Sequence, residues 1–345
     1  MRKSRMRKVQ VTLLLLLLPG CFFQASAQQR PQYTQYIFNN YLLNPAISGI
    51  ENYADLKAGY RRQWAGIDDG PATATLSLHS PIGKKYLRGN ANSMESKGTN
   101  PMSRSFLQTY MAAEPHHGAG LHLVSDRTGP ISRTDVNATY AYHLGITEKL
   151  NLSVGFAAGI SLEDLDFSRV TLENQADPAL AAEDHRRVRP DLSAGLWLYS
   201  ARYFGGFSVQ QLLGRPVIFS EDGEGPDPGR QIPHYFLTAG YKFFLGDDIA
   251  AVPSVMVKHV TPAPLSVDIN AKIAFRDRFW VGGSYRKRDS FAAMAGFNVS
   301  YLFNVSYAYD FTTSALRSVS EGTHEVVLGV LLNNRYKVTC PQRNW

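Results

Sequence analysis

Leu150-Asn-Leu-Ser-Val-Gly-Phe-Ala-Ala-Gly-Ile160 sets Leu150, Leu152, Val154, Phe156, Ala158 and Ile160 against Asn151, Ser153, Gly155, Ala157 and Gly159. Successive side chains of an extended chain point to opposite faces, so this alternation reads as a strand with one apolar side. Two architectures accept such a strand: a soluble sandwich with the apolar face inward, or a membrane barrel with it outward. Length separates them, because soluble strands average about 5–6 residues and barrel staves need about 9–11. The run is as long as a stave.

Working outward, the same rhythm recurs. Val136, Ala138, Tyr140, Tyr142 and Leu144 alternate with Asp135, Asn137, Thr139, Ala141 and His143; Leu265 to Phe275 and Tyr301 to Tyr309 repeat it. Aromatic residues gather toward strand ends, as at Phe243-Phe244, Phe279-Trp280 and Tyr307 with Tyr309, which suits interfacial girdles. Alternation and turn signals place strands at 53–63, 71–81, 117–126, 132–144, 149–161, 190–199, 202–211, 233–245, 249–260, 265–276, 278–288, 290–299, 301–310 and 323–332. The expected fold is therefore all-β: a transmembrane antiparallel β-barrel of the outer membrane with about 14 strands, an even number that closes. Tight connections follow strands 4, 6, 8, 10 and 12, and long ones follow 5, 7 and 13. Long loops outside and short turns in the periplasm is the outer-membrane asymmetry, and it puts both termini in the periplasm. The stretch from Ile82 to His116 is long yet falls on the short side; a further stave within Phe106 to Ala113 would break the parity, so a periplasmic excursion is expected there.

The chain begins with Arg2, Lys3, Arg5, Arg7 and Lys8, then an apolar run from Leu13 to Leu18, then Ala25-Ser26-Ala27. That anatomy reads as a secretory signal peptide over 1–27; the apolar run is short of the roughly 20 residues a spanning helix needs. Leu18-Pro19-Gly20-Cys21 offers the competing reading of a lipoprotein site with Cys21 lipidated. Taking the leader's five basic residues from the formal +7 leaves +2, so the basicity is an export signal and no nucleic-acid partner is expected. Cys340 is then the single cysteine after the leader, and no intrachain disulfide is expected. The remaining organisation is 28–52 as a periplasmic or plug-like segment, 53–332 as the barrel and 333–345 as a periplasmic tail.

Candidate chemistry is sparse. His116, His117 and His122 lack the helical spacing or nearby cysteines of a metal set. His143 and Asp135 share a strand face, but no G-x-S-x-G elbow or phosphate loop accompanies them. No catalytic residue, metal or cofactor is expected, and the chain is read as a non-enzyme. The acidic and basic residues from Glu163 to Arg189 read as a solvated or partner-binding loop, and Arg286-Lys287-Arg288 as a loop tip that could meet an anionic group.

Ahead of the first strand lies a segment with no period of 2 or 3.6: Gln32-Tyr33-Thr-Gln35-Tyr36, then Leu43-Asn44-Pro45-Ala46 and Gly49. It leads into Tyr60-Arg61, Gln63-Trp64, Gly66 and Pro71-Ala-Thr73. With Ser125-Asp126-Arg127-Thr-Gly129-Pro130, Tyr307-Ala-Tyr-Asp310, Gly322-Thr323-His324-Glu325 and Cys340-Pro341, this order of motifs resembles the PorP/SprF family of outer-membrane proteins of the type IX secretion system. Thr323 stands where that family usually has Ser. The resemblance implies an outer-membrane component of the secretion, and possibly gliding, machinery that exports or holds secreted proteins such as adhesins. It implies as partners outer-membrane lipid, periplasmic ring or peptidoglycan-linked components and the secreted client. A passive small-solute porin is the alternative that the fold equally permits. The Tyr/Gln/Asn segment is expected either to plug the lumen or to dock a periplasmic partner, and His324 and Glu325 to make a polar structural contact.

Overall fold

The computed structural model describes residues 33–83, 110–166, 186–214, 216–217, 229–276, 278–287, 289–300 and 302–334. Its fourteen staves are β1 (Ala54–Arg62), β2 (Ala72–Ile82), β3 (His116–Thr128), β4 (Ile131–Thr147), β5 (Leu150–Leu165), β6 (Arg186–Tyr199) and β7 (Tyr203–Gln210). They continue with β8 (His234–Tyr241), β9 (Ile249–His259), β10 (Ser266–Phe275), β11 (Phe279–Arg286), β12 (Ser290–Asn298), β13 (Phe303–Thr312) and β14 (Thr323–Leu332). Each stave pairs with its sequence neighbours, and β1 pairs antiparallel with β14 from Ala54↔Leu332 to Arg62↔His324. The sheet is thus a closed antiparallel barrel. No described helix is long and apolar enough to cross a membrane.

The barrel is inside out relative to a soluble core. Asn137, His143, Asn151, Ser153, Asp268, Lys272 and Asn304 are buried in the lumen, whereas Phe156, Leu237, Ile269 and Leu328 are more than half exposed on the outer wall. Only hydrocarbon makes that wall favourable, because apolar surface of this extent is expelled by water. Exposed aromatics form two belts, Tyr142, Tyr203, Phe279 and Phe303 toward one end and Tyr60, Tyr235, Tyr285 and Phe311 toward the other, as amphipathic rings do at membrane interfaces.

At one end, here the turn end, connections of two to four residues follow β4, β6, β10 and β12, and one of seven, 242–248, follows β8, in which Phe243 and Phe244 still pair with Ala251 and Ala250 of β9. The opposite, loop end carries the longer segments 63–71, 166–185, 211–233, 260–265 and 313–322. Tight turns at 129–130 and 287–289 also occur there, the first made possible by Gly129 at φ +57°. Residues 110–115 add no stave: the Ala112 N–H reaches the Glu148 carbonyl (2.7 Å) and the Ala113 N–H the Asn151 Oδ1 (2.9 Å) at the turn end, so the parity is preserved. The loop expected from Glu163 to Arg189 is shorter than its charge suggested. β5 and β6 run through those residues, and Glu163 faces Arg189 inside the lumen at 3.3 Å. Charges end a strand only when no partner waits on the inner face; here one does.

Because Leu237 sits midway along β8 on the lipid face, Leu237→Arg should cost about 2–4 kcal/mol, the range for a basic residue near the bilayer midplane. The urea midpoint of the refolded barrel in lipid vesicles measures it.

Candidate functional site

Residues 34–53 fill the lumen. They form three 3₁₀ turns, Gln35–Ile37, Asn40–Leu42 and Pro45–Ile47, rather than a continuous element. Asn44 starts the third: its Oδ1 accepts the Ala46 N–H at 3.0 Å, and Pro45 occupies the first position, where a missing N–H costs nothing. Apolar side chains face both halves of the wall. Tyr36, Ile37, Phe38 and Leu43 pack with Phe236, Met256, Trp280 and Met294, while Tyr41, Ala46, Ile47 and Ile50 pack with Trp197, Tyr199, Phe204 and Val252. Lys57 Nζ lies 5.2 Å above the Phe38 ring.

Short 3₁₀ turns leave many backbone carbonyls unpaired, and the polar wall supplies their donors. Ser208 Oγ donates to the Leu43 carbonyl (2.7 Å), Gln210 Nε2 to Leu42 (3.0 Å) and Ser153 Oγ to Ala46; His143 Nε2 meets the Ser48 carbonyl at 2.8 Å and His116 Nε2 that of Gly49 at 3.2 Å. Tyrosine tips are satisfied in turn: Asn270 Nδ2 donates to the Tyr36 hydroxyl (2.5 Å), and the Tyr41 hydroxyl lies 2.7 Å from Thr139 Oγ1.

Two glycines let the segment touch the wall. A Cβ on Gly118 would fall 1.8 Å from the Ser48 carbonyl oxygen, and one on Gly155 would fall 2.4 Å from the Ala46 nitrogen. Asn44 reaches further round, its Nδ2 donating to the Leu196 carbonyl of β6 at 2.9 Å. The cavities along the plug measure about 10, 30 and 20 Å³, room for one or two waters each.

The tightest polar cluster lies where the barrel closes. Arg61 of β1 is in register with Glu325 of β14, and its Nη1 donates to Glu325 Oε2 at 2.7 Å. Its Nη2 donates to Asp310 Oδ2 of β13 at 2.8 Å. Thr34 completes the ring: Oγ1 accepts from Arg61 Nη1 (2.8 Å) and donates to Asp310 Oδ2 (2.6 Å), while its N–H donates to Glu325 Oε2 (2.9 Å). Gln35 adds its N–H to Glu325 Oε1 (3.2 Å), its Nε2 to the Glu325 carbonyl (2.7 Å), and accepts from Ser306 Oγ through Oε1. One cation, two carboxylates and the plug's first turn therefore hold three staves together.

Strand alternation sorts the remaining motif residues. Tyr60 and His324 point outward beside inward Arg61 and Glu325, so the two motif residues make separate polar contacts: Glu325 with Arg61 in the lumen, and His324 Nδ1 with the Tyr307 hydroxyl at 2.7 Å on the outer face. Gln63 N–H bonds to the Pro71 carbonyl (2.8 Å) and closes the first loop, while Trp64 N–H donates to Thr323 Oγ1 (3.2 Å). The Ala65 N–H reaches the Gly322 carbonyl at 2.8 Å, with Gly322 at φ +93°, so the seam continues beyond the staves into the loops. Thr73 Oγ1 donates to Asp126 Oδ1 at 2.5 Å between β2 and β3. Tyr33 packs on the plug's apolar cluster, and Gln32 lies outside the described residues.

The histidines disperse. His116 stacks on His143 at 4.5 Å, His117 bonds the Tyr140 hydroxyl on the outer face (2.6 Å), and His122 meets the Tyr41 ring edge-on. Asp135 pairs with Arg133 at 2.9 Å rather than with His143. Arg286 points inward, bidentate on Asp268, so it is not a loop tip. Glu51, Asp55 and His79 bring ligand atoms within 4.8 Å of one another, but Lys57 Nζ already lies 2.6 Å from Asp55 Oδ2 and the Gly49 N–H donates to His79 Nδ1 (3.2 Å). Sequence reasoning missed Thr34, Ser48, Gly118 and Gly155; the one signal for the glycines was their place on the small, polar side of alternating strands.

Breaking a buried ion pair from one side costs about 3–5 kcal/mol because the other charge stays buried. Arg61→Leu should lower barrel stability by that amount, whereas His324→Ala, which removes a hydrogen bond to an outward-facing histidine, should cost about 0.5–1.5 kcal/mol. Heat-dependent gel mobility and urea unfolding in detergent compare the two.

Among solved structures, the toluene transporter TbuX of Ralstonia pickettii is similar over 85% of this chain and 93% of its own, at 11% identity and a TM-score of 0.46. The outer membrane protein Omp33 of Acinetobacter baumannii is similar over 83% of this chain and 100% of its own, at 8% identity and a TM-score of 0.45. No curated protein matches the chain. The family model described as "Type IX secretion system membrane protein PorP/SprF" matches residues 25–330, a span that takes in the plug, the Arg61–Asp310–Glu325 cluster and thirteen complete staves. The chain belongs to the PorP/SprF family of type IX secretion system membrane proteins.

Proposed function

We propose that this outer-membrane barrel is a docking platform of the type IX machinery, at which secreted proteins such as adhesins are exported or held, and that its lumen is not their conduit. The single observation that carries this reading is the occupied lumen. Residues 34–53 are tied to the wall all round the barrel, and the cavities that line them among the described residues are about 10–30 Å³, far below the size of a client protein. Specificity then resides on the rims and the outer wall, where partners of the secretion machinery and the client meet the barrel. The loop end faces the outside, by the outer-membrane rule that long loops are extracellular, and the turn end faces periplasmic ring or peptidoglycan-linked components. Gliding belongs to the same reading, through the surface adhesins such a platform would hold. In this reading the platform acts by binding rather than by catalysis.

The porin reading meets the same obstacle, since a solute path requires the plug to leave. Ser48 Oγ and Thr139 Oγ1 are 2.8 Å apart, so Ser48→Cys with Thr139→Cys, in a Cys340→Ser background, can fasten plug to wall. Client export should continue with this bridge oxidised; abolished export with the complex intact would refute the platform. Liposomes holding the unmodified barrel should show no sugar-driven swelling, while deletion of residues 34–43 should open them.

A further inference from the structure

The staves are unequal at one place on the loop rim. β5 pairs with β6 along the whole of the latter, from Asn151↔Tyr199 to Asp164↔Arg186, but β7 pairs with it only from Tyr199↔Phe204 to Ala194↔Val209. Among the described residues one more bond, from the Leu212 N–H to the Leu192 carbonyl at 2.9 Å, ends that seam. The segment joining β7 to β8 turns inward instead: Gln211 and Gln231 are both buried, and Gln231 Nε2 donates to Glu163 Oε1 in the lumen at 3.4 Å. The loop-end half of β6 thus stands beside a notch.

In an antiparallel ladder the N–H and carbonyl of one residue point to the same side, and the sides alternate along the strand. Leu192 turns its carbonyl toward the notch, so Pro190 and Val188 do the same, and among the described residues neither has a partner there. Such an edge would be prohibitive inside hydrocarbon. It lies beyond it. Tyr235 of the loop-end aromatic belt faces Val209, and Val209 faces Ala194, whereas Pro190 and Val188 stand four and six residues further toward the loop end. They clear the belt even with a stave tilt of about 35–45°. On the outer side Val188 and Leu192 are exposed, and the wall below holds a hollow of about 350 Å³ lined by Ala138, Tyr140, Phe156, Leu192, Ala194 and Leu212.

We infer that the loop-end edge of β6 is a docking strand: an extended segment of a secreted protein adds to the sheet beside Val188 and Pro190, its alternate apolar side chains lying over Val188 and into the hollow. Backbone groups then supply affinity and the hollow supplies selectivity, as in other strand additions. Pro190 offers a carbonyl and no donor, which keeps indiscriminate pairing in check. A second copy in the same membrane would bring its own β6 across at about 70–90°, twice the stave tilt, so self-pairing does not fit. The inference rests on the proposed docking role and outward loops, and adds the place and the form of the partner.

The probe is a fluorescein-labelled octapeptide of alternating Val and Thr, added to the full-length barrel in detergent and followed by fluorescence anisotropy. Val188→Pro removes the donor that faces the notch and leaves the bonds to β5 intact, while Val188→Ala keeps the donor. Binding should saturate, weaken roughly tenfold with Val188→Pro, as loss of one backbone hydrogen bond implies, and change much less with Val188→Ala. Heat-dependent gel mobility checks that both variants are folded. On the unmodified barrel, the same peptide N-methylated at every residue should not bind. Absence of saturable binding overturns the inference, as does binding that survives both Val188→Pro and N-methylation. Intact cells should bind the peptide more than cells carrying Val188→Pro. If the purified barrel binds it and intact cells show no such difference, the edge stands, and the outward orientation and the secreted partner fail.

Discussion

A β-sheet in hydrocarbon cannot have an edge, because each backbone N–H or carbonyl left unpaired there costs several kcal/mol. Everything else in this protein follows from that demand. The first stave has to meet the last, and nine residue pairs from Ala54↔Leu332 to Arg62↔His324 satisfy it. Once the ring is closed, one face of every stave is committed to lipid and the other to an enclosed space, and the inverted distribution of Phe, Leu and Ile against Asn, Ser and His is the consequence. The seam is also where the chain's two ends must cooperate, and Arg61, Asp310, Glu325 and Thr34 are gathered there.

The enclosed space poses a second demand. A polar lining needs partners, and water is one way to supply them; this protein uses its own backbone. The plug's irregular geometry, which at first sight is a lack of structure, provides a surplus of carbonyls, and the serine, glutamine and histidine side chains of the wall are their complement. A regular helix in the same place would have satisfied its own carbonyls and left those wall residues without partners. The lumen and the plug are therefore one hydrogen-bonded unit, with apolar packing filling the intervals.

Much of the barrel was legible in the sequence because its signal is repetitive and local. Alternation located all fourteen staves to within a few residues, and the closing pair could be anticipated from an even count. The motif at Gly322 to Glu325 announced a strand start, yet which of its residues faced inward depended on the phase of the alternation, and His324 and Glu325 fall on opposite sides. Charge misled at Glu163 and Arg189, because sequence alone does not show that two charges on adjacent staves will face each other. The plug was least legible. Asn44-Pro45 marked a turn, but the fit of Ser48 against Gly118 and of Ala46 against Gly155 joins residues about 70 to 110 apart, and no local pattern carries it.

The plug's bonds to the seam also govern the order in which the protein can form. Thr34 and Glu325 are separated by 291 positions, so their contact is among the last the chain can make, and such distant pairings slow folding because the intervening loop must be ordered first. A ring already shut around an empty lumen would have to admit twenty residues through its mouth. The simpler route has the N-terminal segment lying on the curving sheet before the ends meet, as a mandrel around which the wall is wrapped. Closure and filling then become a single event, completed when the final strand arrives to receive both β1 and the segment that precedes it.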